Sequence, residues 1–143
     1  MTKQEKYTIS IEQNVAREDM ESLGGELGRF NTARVGYDDY APLILFARDE
    51  SQNIIGGFIG ATYWQWLYVE LLLVREQYRG QGYGQELLTA AEQEAKKRGC
   101  LHAFLDTFSF QAPEFYKQQG YEVFGQLSNF PPGHNRYWLQ KQL

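Results

Sequence analysis

The chain has 143 residues, 43% of them hydrophobic and 22% charged, with a formal net charge of −4 and an isoelectric point near 5.2. That length suggests one domain over residues 1–143, able to bury roughly 68–70% of its unfolded surface. The acidic balance argues against a nucleic-acid partner, the single Cys100 excludes an intrachain disulfide, and one Cys with two His excludes a multi-Cys zinc site.

Met1-Thr2-Lys3-Gln4-Glu5-Lys6 carries no apolar stretch behind it, so no secretory signal is expected. The longest apolar run, Val69 to Val74, is broken by Glu70 and is far shorter than the roughly 20 residues of a membrane helix. A cytoplasmic protein without membrane or metal partners is the expectation.

Tyr7 to Ile11 alternates and predicts a first strand. Asn14 to Phe30 predicts a helix weakened by Gly24, Gly25 and Gly28, followed by a connection over Asn31 to Ala41. Pro42 to Arg48 and Ile54 to Tyr63 read as a hairpin around the polar turn Asp49 to Asn53. Trp66 to Val74 reads as a strand buried on both faces. On simple alternation Glu70 shares a face with Tyr68, Leu72 and Val74.

Gly82 to Arg98 predicts the best helix, with Leu87, Leu88, Ala91 and Ala95 on one stripe and Gly99 as its cap. A strand over Leu101 to Phe108, a short helix over Ala112 to Gln119 and closing strands over Tyr121 to Leu127 and Arg136 to Gln142 follow. The fold class is α/β: a mixed, largely antiparallel sheet flanked by helices.

The informative segment is Val74 to Gly84, which leaves a strand, passes Gly80, Gly82 and Gly84, and opens the best helix. Unpaired N–H groups and the positive dipole end favour an anion there, and glycines let the backbone approach it. The dinucleotide fingerprint fails because its third glycine falls on Gln85, and no Walker string occurs. A tight turn without ligand is the bland reading.

Arg79-x-x-Gly82-x-Gly84 resembles the [RQ]-x-x-G-x-[GA] loop of the GNAT superfamily of acyl-CoA-dependent N-acyltransferases. Ala112-Pro113-Glu114-Phe115-Tyr116, followed by Gly120-Tyr121, is similar to a later motif of that superfamily. Ser109 departs from it, standing where many members have Asn. The resemblance spans essentially the whole chain and implies the superfamily's fold, with acetyl-CoA as co-substrate. It also implies a coenzyme site of Leu73 and Val74 for the pantetheine arm, with Gln77, Arg79, Gly80, Gln81, Gly82, Tyr83 and Gly84 around the pyrophosphate and Ser109 as a further contact.

The implied reaction is N-acetyl transfer to a primary amine by direct attack in a ternary complex. Tyr116 stands where the superfamily commonly has a tyrosine beside the thioester sulfur and is the expected acid. Glu70, the one carboxylate in the apolar run, is the expected base or the anchor of a cationic acceptor, with Tyr68 as substitute. The acceptor is a small-molecule or peptide amine. Many superfamily members are dimers, so a homodimer is one expected assembly. A non-catalytic acyl-CoA sensor of the same fold is the alternative.

Tyr63, Trp64, Trp66 and Tyr68 offer cation–π contacts or plain packing, and Asp38, Asp39 and His134 read as loop residues. His102-x-x-x-Asp106 matches the motif of a larger acyltransferase class but falls on a predicted strand and is rejected. Cys100 reads as a small packed residue.

Overall fold

A computed structural model describes residues 6–143. Met1–Glu5, on which most of the signal-peptide reading rests, lie outside the described residues. No helix is long and apolar enough to cross a membrane among them. Two compact units are distinguished, one ending at Asp38 and the other spanning Asp39–Leu143.

The first unit holds helix α1, Arg17–Val35. It runs further than the predicted Asn14–Phe30, because its three glycines remain helical and nothing in Asn31 to Val35 breaks the pattern. Gly36 ends it at φ +99°, donating its N–H to the Thr32 carbonyl at 2.8 Å. The predicted strand over Tyr7 to Ile11 is absent: the segment has no regular structure, and Ile9 and Ile11 are exposed. Alternation specifies a strand only where an edge supplies ladder hydrogen bonds, and among the described residues no strand pairs with this segment.

The second unit is a six-stranded sheet. Its elements are β1 Ala41–Arg48, β2 Ile54–Tyr63, β3 Trp66–Val74, α2 Tyr83–Lys97, β4 His102–Phe108, α3 Pro113–Gln118, β5 Glu122–Ser128 and β6 Asn135–Gln142. The strand order is β1-β2-β3-β4-β6-β5. Only β3 and β4 pair in parallel, with α2 as their crossover, so the expected mixed and largely antiparallel sheet is observed.

Leu88, Ala91 and Ala95 of α2 are buried with Phe58, Leu67, Val69, Ala103, Leu105 and Leu139 of the sheet, and Leu87 is buried too, which is the stripe the periodicity predicts. Cys100 is buried in the same core, and burial pushes its thiol pKa up.

β3 departs from its expected burial. Leu67 and Val69 are buried, whereas Leu71 and Leu73 are exposed. The cause is a β-bulge. Gly60 pairs with Val69 and the adjacent Ile59 pairs with Leu71, so Glu70 is the extra residue. Cross-strand pairing then puts Leu67, Val69, Leu72 and Val74 on one face and Tyr68, Leu71 and Leu73 on the other. Simple alternation, which grouped Glu70 with Leu72 and Val74, is corrected by that one inserted residue.

Gly60 is what lets the bulge form. A Cβ there would collide with the Tyr68 carbonyl oxygen and stand 2.9 Å from the Phe58 ring.

Candidate active site

β3 and β4 are paired only from Trp66 opposite His102 to Val69 opposite Leu105. Beyond that point β3 runs on to Val74 and β4 to Phe108 without a shared ladder. The strands therefore part at the Glu70 bulge. β3 stays paired to β2, and an edge without a ladder on its other side leaves backbone N–H and C=O groups that seek a partner.

A cavity of about 700 Å³ is lined by Leu72, Leu73 and Val74 of β3, by residues of the glycine loop, and by Phe110 to Ala112, Phe115 and Tyr116 beyond β4. Its volume lies in the ordinary range of small-molecule and cofactor sites.

The loop takes its shape from Gly80 at φ +77° and Gly82 at φ +89°, backbone angles that other residues rarely adopt. Gly82 is the N-cap of α2 and supplies no side-chain cap, so the first-turn amides face the loop free of a side-chain partner. Arg79 turns back, its Nε donating to the Val74 carbonyl at 2.8 Å, which pins the guanidinium beside the strand end. An amide-lined, dipole-facing cradle with a cation at its edge suits a pyrophosphate.

Of the expected coenzyme residues, Leu73, Val74, Arg79, Gly80, Gly82, Tyr83 and Gly84 line this one cavity together. Gln81 lies in the loop between Gly80 and Gly82 and is not among the lining residues. Gln77 sits in a 3₁₀ turn, Glu76–Tyr78, and lines a neighbouring cavity with Arg48 and Arg75. Ser109 ties β4 to β6: its N–H donates to the Asn135 carbonyl at 2.8 Å, and its hydroxyl oxygen accepts the Asn135 N–H at 3.0 Å.

Residues the sequence reading passed over complete the wall. Gln111 accepts hydrogen bonds from the Phe108 N–H at 3.0 Å and the Thr107 hydroxyl at 3.2 Å, shaping the turn that brings Phe110 and Ala112 to the cavity. The signal was available in Gln111, a lone polar residue between Phe110 and Ala112.

Tyr116 lies on α3 and is buried, yet it lines the cavity. Its hydroxyl makes no hydrogen bond to another described residue. Burial pushes its pKa up to about 12, so the hydroxyl stays protonated throughout the neutral range. Its ring meets Phe115 and Tyr121 edge-on, with centroids at 5.1 and 5.9 Å.

Glu70 is exposed at the bulge, where the strands part. Tyr68 meets Phe104 edge-on at 5.0 Å. Burial raises the Tyr68 pKa, and the Asp106 and Glu70 carboxylates raise it further. A hydroxyl held protonated by burial and two nearby carboxylates is poorly suited to take a proton, which favours Glu70 of the two base candidates.

Asp106, weighed earlier only as part of a rejected motif, pairs with Arg136 through Nε at 2.7 Å and Nη2 at 2.5 Å. The guanidinium lies about 5 Å from the rings of Phe108, Phe130 and Trp138.

Among the remaining candidates, Trp66 stacks on His102 at 4.6 Å, and Asp39 accepts the Trp64 N–H at 2.9 Å in the β2–β3 turn. His134 meets Phe110 edge-on at 5.0 Å in the β5–β6 loop. No group of three metal-ligating side chains occurs among the described residues.

The profile of the acetyltransferase (GNAT) family matches residues 12–121. The chain is similar to the acetyltransferase Atu2258 of Agrobacterium fabrum, at 40% identity over 79% of this chain and 82% of that one. Streptomyces morookaense blasticidin-S acetyltransferase is 38% identical over 68% of this chain and 73% of its own length. The crystal structure of an acetyltransferase from Bacillus cereus has the same fold, with a TM-score of 0.84 at 34% identity, covering 94% of this chain and 98% of that one. Parted strands, glycine cradle and sequence agree: the chain belongs to the GNAT family of acetyltransferases.

Proposed function

We propose that residues 1–143 act as one N-acetyltransferase, moving the acetyl group of acetyl-CoA to a primary amine by direct attack within a ternary complex. The observation that carries this reading is the single cavity that joins the glycine cradle, the end of β3 that β4 leaves, and the Tyr116 ring. Acetyl-CoA supplies an activated acyl group; the protein supplies a place for it, a hydrogen-bond donor and a base.

In this reading the amides opening α2 and the positive groups of the loop hold the pyrophosphate. The backbone around Leu73 and Val74, past the point where β4 parts from β3, orients the pantetheine arm. Gln77, Gln81 and Ser109 stand around that core as secondary contacts. Tyr116 donates a hydrogen bond toward the sulfur. With a pKa of about 12, against about 8.5 for a free thiol, its proton is shared with the departing thiolate rather than handed over. Glu70 accepts the proton of the amine, directly or through water, or holds a cationic acceptor. Holding both reactants in one cleft contributes several kcal/mol by orientation alone.

The acceptor is a small molecule or a peptide amine. The net charge of −4 and the free carboxylate at the bulge suit a cationic one. The similarity to a blasticidin-S acetyltransferase makes that compound the first acceptor to try.

The test is thiol release from acetyl-CoA with a panel of blasticidin S, aminoglycosides, polyamines, amino acids and peptides. Release that depends on one class of amine supports the reading. Tight binding of CoA without thiol release for any amine would replace it with an acyl-CoA sensor.

A further inference from the structure

Glu92 stands on the inward stripe of α2, among Leu88, Ala91 and Ala95, with only 10% of its side chain exposed. A carboxylate at such a position is costly unless it is matched. Lys141 of β6 matches it, with Nζ 2.9 Å from Oε2 and 3.1 Å from Oε1. The Tyr121 hydroxyl donates to Oε2 at 3.1 Å, and the same ammonium lies 5.5 Å from the centre of the Tyr121 ring. Three elements far apart in sequence, α2, β6 and the residue entering β5, meet at one carboxylate.

A buried ion pair is weak evidence for stability, since apolar residues of equal volume often serve as well. What this one fixes is a place. Tyr121 donates its N–H to the Tyr116 carbonyl at 3.0 Å, and its ring packs edge-on against the Tyr116 ring at 77°. α3 has only six residues, too few to hold its own orientation. The Tyr116 hydroxyl has no hydrogen-bond partner among the described residues, so ring packing alone aims it.

We propose that Glu92 and Lys141 are positioning residues that lock Tyr121, and that Tyr121 in turn holds the Tyr116 hydroxyl toward the cavity. The proposal deepens the acetyltransferase reading and rests on it for its kinetic consequence. Burial and the Glu92 carboxylate also drive the Tyr121 pKa upward, so the Tyr121 hydroxyl keeps the proton it donates.

Glu92→Gln leaves the half-buried Lys141 poorly paired and can unfold the chain, so Tyr121→Phe carries the test. It removes one hydroxyl and keeps the ring. Thiol release is measured with the amine panel for wild type, Tyr116→Phe, Tyr121→Phe and the double variant, each checked for folding by its melting curve. Tyr121→Phe is expected to lower kcat about tenfold, part of the general-acid contribution of about 10²-fold, with KM for acetyl-CoA unchanged. In the Tyr116→Phe background it is expected to do nothing further. Equal losses in both backgrounds would overturn the proposal, because they mark a structural role that does not act through Tyr116.

A readout independent of turnover uses tyrosine labelled with carbon-13 at Cζ. The Tyr116 resonance, identified by its loss in Tyr116→Phe, is expected to shift or split in Tyr121→Phe. An unmoved single resonance would also overturn the proposal. If Tyr116→Phe itself keeps full turnover, the mechanistic reading of Tyr116 fails, and the resonance still decides whether Tyr121 holds the ring.

Discussion

Replacing Gly60 by Ala tests whether the bulge builds the site. The added Cβ would meet two rigid neighbours at once: the backbone carbonyl of Tyr68, and the Phe58 ring at 2.9 Å from Cε1 and 3.0 Å from Cζ. Phe58 is completely buried, so its ring cannot swing away. Overpacking of this kind costs about 1–3 kcal/mol, and a backbone clash belongs at the upper end. Reduced freedom of the unfolded chain returns about 0.4–1 kcal/mol. The net loss is about 2 kcal/mol, which for a chain of this size lowers Tm by roughly 7 °C. Calorimetry and circular-dichroism melts measure it. Gly125→Ala is the control, since its Cβ meets only the Trp138 Cβ at an ordinary 3.8 Å. Because the bulge carries Glu70, turnover at saturating acceptor should fall more than CoA affinity. A Gly60→Ala protein that melts within about 2 °C of the Gly125→Ala control would refute the packing argument.

Gly82→Val forces φ +89° on a β-branched residue and so reshapes the cradle, and CoA affinity measured by calorimetric titration should drop at least tenfold in a protein that still folds. Glu70→Gln should slow thiol release most near neutral pH and recover as rising pH deprotonates the free amine. If Glu70 only holds a cation, apparent acceptor affinity falls while kcat stands. The Tyr116 pKa, raised by burial above the 10 of a free tyrosine, predicts a stability present below pH 10 and lost as pH climbs toward 12. Denaturant melts across that window should lose about 3 kcal/mol through this residue, and Tyr116→Phe should reduce the slope, leaving the part that Tyr121 contributes.

Local pattern alone determined much of this protein. The α2 stripe, the Gly82 and Gly84 opening, the β1–β2 hairpin and the short helix that carries Tyr116 all follow from period, cap and turn chemistry between near neighbours. The glycine cradle was legible because its chemistry is carried by consecutive backbone groups. Tertiary structure decided the rest. Whether Tyr7 to Ile11 became a strand depended on an edge to pair with. The face on which Leu72 and Val74 lie depended on one residue of register against β2. The pairs Asp106–Arg136 and Glu92–Lys141 join residues 30 and 49 positions apart, and a charge in a helix stripe does not announce which distant strand will neutralise it. Periodicity reports how a segment relates to a buried face. Register, the parting of β3 from β4, and the partner of each buried charge are relations between segments, and they come into being only when the chain closes on itself.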